Sequence, residues 1–164
     1  MTNESLLEEA QSVMKTIRAA GLDCYIAGGY ARDVYHGQQA KDIDVVVLLT
    51  GENRHVGVRM ELYHTLKPDA TFDEYHGHEQ DTPEFVACAK VGNVDVLFYD
   101  CATIIDVVAC FDCNLNGYVI TLDRSIFIGE DEGFFKVIPR ERHTSAERIT
   151  YMRDKARSFG WSVN

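Results

Sequence analysis

The chain has 164 residues, 46% of them hydrophobic and 26% charged, with a formal net charge of −10 at pH 7. That suffices for a single domain spanning 1–164 around one core, and is too little for two ordinary domains. The acidity excludes a surface that tracks nucleic acid over its whole extent, because clustered Lys and Arg are what displace a polyanion's counterions.

The charge is unevenly spread. Residues 136–164 carry seven Lys or Arg against three Asp or Glu, whereas residues 1–135 carry nine against twenty-three. Any polyanionic partner is therefore expected at the basic C-terminal segment. No run approaches eighteen apolar residues, and the start MTNESLLEEA lacks the basic-then-apolar order of a signal peptide. Five cysteines, Cys24, Cys88, Cys101, Cys110 and Cys113, are odd in number and sit in apolar segments, so they read as reduced, buried thiols. The expectation is a cytoplasmic protein with no membrane partner.

In chain order, Ser5-Leu6-Leu7-Glu8 has capping-box spacing, and Leu6, Ala10, Val13 and Ile17 recur at helical intervals until Gly21. Asp23 to Ala27 predicts a short strand, Gly28-Gly29 a turn, and Tyr30 to His36 a short helix. Asp42 to Leu49 is a near-continuous apolar run expected as a buried strand, on which Asp42 and Asp44, two apart, share a face. Glu52 to Leu66 follows in helical phase, and Lys67 to Pro83 reads as a polar loop. Within that loop His76-Gly77-His78-Glu79 lacks the second ligand pair that a zinc site needs, so a plain surface loop is expected.

Glu84 to Val91 and Asn93 to Tyr99, around Gly92, predict a β-hairpin. Asp95 interrupts its second strand, and a carboxylate there needs solvent, a partner or a cation. Thr103 to Cys110 predicts a short helix and Tyr118 to Leu122 a strand; residues 124–147 show no clear period. Cys110 and Cys113 form a CxxC without a second pair, which favours structural thiols over zinc. A last helix is expected from about Ala146 to Phe159, burying Ile149, Met152, Ala156 and Phe159 and exposing Arg153 and Arg157.

Two aspartates on one strand face plus Asp95 on a neighbouring strand can hold two magnesium ions and a nucleoside triphosphate for in-line displacement. A glycine turn opening a helix adds backbone N–H groups for phosphate oxygens, and Arg32 adds charge. Each part is weak alone; their order and proximity carry the argument.

These residues also carry a resemblance. GGYARDVYHG followed by KDIDVVV is similar to the GGxVRDxLLG…DxD signature of class II tRNA nucleotidyltransferases (CCA-adding enzymes) and bacterial poly(A) polymerases, in the superfamily that includes DNA polymerase β. The resemblance implies an α+β nucleotidyltransferase (polymerase β-like) fold: a mixed central sheet, helices packed on it and a C-terminal neck-like helix. It implies that Gly28, Gly29, Arg32 and Asp33 form the phosphate-binding turn with its supporting helix, and that Asp42 and Asp44 bind metal.

Downstream, RRDFTINA resembles Cys110 to Gly117, keeping Asp112 and Asn116 and lacking both arginines, for which Arg124, Arg140 or Arg142 could substitute. The base-reading EDxxR motif resembles Thr144 to Arg148, keeping Arg148 and placing Ser145 where the family has aspartate. By this resemblance Asp112, Asn116 and Arg148 contact ribose or base, and the chain covers a catalytic head without the tRNA-gripping body and tail. The expected activity is magnesium-dependent transfer of a nucleoside monophosphate from a triphosphate to an RNA 3′ hydroxyl. Transfer to a protein or small molecule, and a catalytically silent nucleotide-binding regulator, stay open as alternatives.

Overall fold

Strand β2, Ile43–Leu48, is the centre of the architecture because its apolar run is buried from both sides. The computed structural model describes residues 1–51, 56–66, 72–74, 82–122, 124–140 and 143–164. Helix α1 (Asn3–Ala19) leads into β1 (Asp23–Ile26), α2 (Gly29–Tyr35) and β2. Then come α3 (Val56–Leu66), β3 (Phe72–Glu74), β4 (Phe85–Val91), β5 (Val94–Tyr99) and α4 (Ile104–Val108). A 3₁₀ turn, Asn114–Asn116, precedes β6 (Tyr118–Thr121), β7 (Arg124–Phe127) and α5 (Ala146–Ser158). The five-stranded sheet runs β1-β2-β5-β4-β3, with β2 and β5 parallel and the other pairs antiparallel, so it is mixed as expected.

Alternation along β2 separates the two faces. Val45 and Val47 point toward α1, where Leu6, Ala10, Val13 and Ile17 are buried. Val46 and Leu48 point the other way, toward Ala27, Val107 and Val119. A third cluster joins Ala31 of α2 to Leu115, Tyr118, Trp161 and the Met152–Ala156 face of α5. The single core expected from composition is thus three clusters divided by the sheet and by α2.

The expected elements differ in detail for local reasons. Helix α1 begins two residues before Ser5 because Thr2 is its cap: Ser5 N–H donates to Thr2 Oγ1 (3.1 Å) and Thr2 N–H donates to Ser5 Oγ (3.0 Å), closing the capping box one turn early. The expected Lys67–Pro83 loop contains β3, three residues too short for a periodic signal, which pairs at the sheet edge with Ala87 to Ala89. The His76–Glu79 stretch lies outside the described residues, as do residues 52–55 of the expected Glu52–Leu66 helix. Leu122, at φ +54°, ends β6, and β7 pairs back on it; four mixed residues, RSIF, did not predict that strand. Of the residues expected to be buried on α5, Ile149 and Phe159 are only half-buried. No helix among the described residues is long and apolar enough to cross a membrane.

The turn between β1 and α2 depends on one glycine. Gly28 caps α2 at φ +87°, ψ −136°, a conformation that L side chains rarely adopt, and its N–H donates to the Tyr118 carbonyl at 2.9 Å. Gly29 is helical, and a Cβ there would meet Arg32 Nη2 at an ordinary 3.6 Å. Gly28→Ala is therefore expected to destabilise the fold by about 1–3 kcal/mol, and Gly29→Ala by less than about 0.5 kcal/mol, measured by urea unfolding. Equal costs at the two positions would show that the turn is not held by backbone conformation.

Candidate active site

A cleft of about 760 Å³ opens where the start of β2, the Gly28-Gly29 turn, the Asp112–Asn116 segment and the first turns of α5 meet. It gathers Gly28, Gly29, Arg32, Asp33, Asp42, Asp44, Asp112, Asn116 and Arg148, nine of the ten residues singled out from the sequence. The tenth, Asp95, is not in the wall.

On one side stand the carboxylates. Asp44 lies on β2 and Asp42 just before it, exposed. Asp95 of β5 is paired in parallel register with Asp44, so both side chains leave the same face of the sheet. Its partner is Lys90 of β4, whose Nζ is 3.1 Å from Asp95 Oδ1, and the Asp95 side chain is 34% exposed. The cation or partner that this strand aspartate required is thus a lysine in this structure. Burial, then Asp42 and Asp95, push the Asp44 carboxyl up to about 7, against a lowering pull from Lys90.

Among the described residues no three His, Cys, Asp or Glu side chains converge as a ready-made metal cage. Asp42 and Asp44 nevertheless suit a hard divalent cation: their donors are carboxylate oxygens, and charge crowding at Asp44 is what such an ion relieves.

On the other side runs a chain of polar side chains. Lys155 of α5 reaches Asp33 Oδ1 at 3.0 Å, and Arg32 Nε donates to the same oxygen at 2.7 Å. Arg32 Nη1 donates to Asn116 Oδ1 (2.6 Å), and Asn116 Nδ2 donates to Asp112 Oδ1 (2.9 Å). Asp112 Oδ2 accepts from Arg148 Nε at 2.7 Å. Burial raises the Asp112 carboxyl, but the Arg148 guanidinium, Asn116 and Arg140 outweigh it and hold Asp112 below the usual carboxylate range.

This chain changes the expected roles. Arg32 is buried and tied to Asp33 and Asn116, so it shapes the turn from beneath instead of presenting a free charge. Asp33 and Asn116 are likewise engaged in holding neighbours. Arg148 lines the cleft with its Nε bonded to Asp112, its guanidinium 5.7 Å from the centre of the Tyr151 ring and its side chain 45% exposed. Ser145, at the position of the family's aspartate, is the N-cap of α5, its Oγ accepting from Arg148 N–H at 3.2 Å.

Of the candidate substitutes for the missing arginines, Arg140 lines the cleft, Arg124 is exposed on β7 and does not, and Arg142 lies outside the described residues. Where the motif's second arginine would stand, the Phe111 ring lies 3.8 Å from the position of a Cβ on Gly28. The sequence reading missed Lys41, Lys155 and Tyr151 in the wall. For Lys155 a signal existed: it lies seven residues after Arg148, two helical turns along the same face. It also missed Asn114, buried, whose Nδ2 donates to the Phe134 carbonyl (2.8 Å) and whose Oδ1 accepts from Lys136 N–H (2.8 Å), fixing the segment that leads to Arg140.

Among solved structures, the chain is similar to an apo CCA-adding enzyme with a TM-score of 0.59 at 18% identity, over 98% of this chain and 40% of that one. It is similar to a CCA-adding enzyme in complex with CTP with a TM-score of 0.57 at 19% identity, over 98% and 39%. This is the nucleotidyltransferase fold. An apo tRNA-processing enzyme has the same fold, with a TM-score of 0.52 at 22% identity over 83% of this chain and 37% of that one. The chain thus spans about two fifths of the length of these solved chains. No family model matches the sequence, and no curated protein does.

Within this nucleotidyltransferase fold the Asp44 carboxyl has a testable signature. Its folded pKa is raised above the usual 3.8, so the stability contributed by its neutral form is present below that value and lost as pH rises through about 7. In EDTA at pH 8, Asp44→Asn is expected to stabilise the protein by on the order of 2 kcal/mol. Thermal melts should show that advantage shrinking toward pH 4. An advantage that does not vary with pH would place Asp44 in an uncrowded, hydrated setting.

Proposed function

We propose that the chain transfers a nucleoside monophosphate from a nucleoside triphosphate to an acceptor hydroxyl, with an RNA 3′ end as the acceptor. The observation that carries this reading is that one cleft gathers Asp42 and Asp44, the Gly28-Gly29 turn, which lies directly beside the Asp44 carboxylate, and Arg148. The cleft volume falls in the range of small-molecule sites. The likeness to a CCA-adding enzyme solved with CTP supports a triphosphate as the ligand.

In this reading Asp42 and Asp44 would hold magnesium, and Asp95 would join them as a third carboxylate only by giving up Lys90; an ion held there would supply positive charge against the triphosphate and the attacking hydroxyl. The chain's own residues orient the substrate. Lys41, Arg140 and Arg148 face the triphosphate as cations, and the turn led by Gly28 lets backbone approach its oxygens. Arg148, pinned at Nε by Asp112, offers its guanidinium to ribose or base. The acceptor oxygen forms a bond to the α-phosphorus as the α–β bridging bond breaks, releasing pyrophosphate. The exposed Arg153 and Arg157 of α5, the latter paired with Asp154 at 3.0 Å, add basic charge outside the cleft lining, which favours an RNA acceptor; a protein or small-molecule acceptor needs no such charge.

A second reading, a nucleotide-binding regulator without turnover, is favoured by Phe111 standing where the family's motif has an arginine. Incubation with labelled ATP, CTP, GTP or UTP, magnesium and bulk cellular RNA or protein separates the two. Label transfer with pyrophosphate release is expected, reduced at least a hundredfold in Asp42→Ala and Asp44→Ala, on the order of the loss of a metal-bound charge stabiliser. Binding without transfer to any acceptor would establish the regulator, and no binding at all would refute both.

A further inference from the structure

Tyr151 of α5 stands in the wall of the nucleotide cleft and is 47% exposed. We propose that the nucleobase of the bound triphosphate stacks on the Tyr151 ring, so that bases are ranked by the ring area they lay on it and not by the hydrogen-bonding pattern of their edges; this rests on the nucleotide-transfer reading above. The other two phenyl rings of the wall offer less: Tyr99 is buried, and Phe111 is half-buried beside Gly28. Tyr151 also lies outside the apolar cluster through which α5 docks, where Met152 and Ala156 meet Ala31 and Leu115. A large ring that is not needed for docking and opens into a cleft is surface for a planar ligand.

The ring is steadied from both directions along the helix. Arg148, Tyr151 and Lys155 follow one another at helical spacing, so they share one face of α5. The Arg148 guanidinium carbon is 5.7 Å and Lys155 Nζ 5.9 Å from the ring centre, within cation–π range. Both cations are anchored at a second point, Arg148 Nε on Asp112 at 2.7 Å and Lys155 Nζ on Asp33 at 3.0 Å. The face is thus ordered before a ligand arrives, which reduces the entropy lost on binding.

Edge reading has little to work with at the same place. Ser145, where the resembled motif has an aspartate, is engaged in capping α5, its Oγ accepting from Arg148 N–H at 3.2 Å. Thr144 Oγ1 accepts from Arg140 Nη2 at 3.2 Å. Arg148 and Lys155 donate and cannot accept, and the nearby carboxylates, Asp112 and Asp33, are already paired with them. The exocyclic amino group of a base therefore meets no uncommitted carboxylate on this wall. Stacking tolerates every base, and its strength sets the modest preferences that remain, which favours the larger purine rings.

The test is isothermal titration calorimetry in magnesium with the α,β-methylene analogues of ATP, GTP, CTP and UTP, which cannot release pyrophosphate, and with inorganic tripolyphosphate as the ligand without a base. The wild-type chain is expected to bind the purine analogues several-fold more tightly than the pyrimidine analogues. Tyr151→Ala should weaken the purine analogues about tenfold, as for the loss of one stacked base. It should also erase the purine preference and leave tripolyphosphate binding unchanged, whereas Tyr151→Phe should behave as wild type. An equal loss for tripolyphosphate, no loss in Tyr151→Ala, or an equal loss in Tyr151→Phe would overturn the stacking role. So would a preference for adenine and cytosine that survives in Tyr151→Ala, because it would assign selection to base edges. Wild-type binding of tripolyphosphate as tight as that of every analogue would overturn the stacking and leave the transfer reading standing; no binding of any analogue would remove both. The ranking of the bases by the wild-type chain does not depend on a variant folding.

Discussion

One polar chain decides where the C-terminal helix sits, and with it whether a cleft exists at all. Lys155, Asp33, Arg32, Asn116, Asp112 and Arg148 are joined end to end by hydrogen bonds and ion pairs of 2.6–3.0 Å. The two ends belong to α5, the middle to α2, the 3₁₀ turn and Asp112 just before that turn. Asp33, Arg32 and Asp112 are largely buried, so each charge depends on its neighbours for compensation. Removing one member from such a chain leaves the next uncompensated, at a cost of about 3–5 kcal/mol for a buried pair. Apolar contact reinforces the same docking: Met152 and Ala156 pack on Ala31 and Leu115, and Phe159 stacks on His36 with ring centroids 3.9 Å apart.

This arrangement makes the cleft electrically two-sided. Asp42 and Asp44 crowd one wall until Asp44 is reluctant to ionise, whereas the opposite wall is cationic with its anions already paired. A polyphosphate bridged by a cation would suit such a cleft: the ion would relieve the carboxylates, and Lys41, Arg140 and Arg148 in the lining would be available to the phosphates. The overall charge of −10 does not oppose this, because the acidic excess lies before residue 136 and the segment 136–164, which supplies Arg140, Arg148 and Lys155, is basic.

Much of the fold was legible because its signals are local. Apolar spacing in α1, the continuous run of β2, Gly92 between β4 and β5, and the period of α5 each specify an element without tertiary help. What was illegible is short or depends on distant partners: β3 and β7 exist because β4 and β6 offer them edges, and Thr2 took the cap from Ser5 by one turn's advantage. The candidate site shows the same split. Residue types at motif spacing identified nine of its members, since carboxylates on one strand face and a glycine turn follow from backbone geometry. The hydrogen-bond partners did not follow. That Arg32 is consumed beneath the turn, that Lys90 holds Asp95, and that Asp112 pins Arg148 are facts of three-dimensional register, each joining residues the sequence keeps apart.

The central claim is that Asp42 and Asp44 form a cation site completed by a nucleotide. Electron paramagnetic resonance titration with Mn²⁺, standing in for magnesium, tests it most directly. The account predicts saturable binding to the wild-type chain that tightens when a nucleoside triphosphate is added and is lost in Asp44→Asn. Binding that is unchanged in Asp44→Asn, or indifferent to nucleotide, would contradict it.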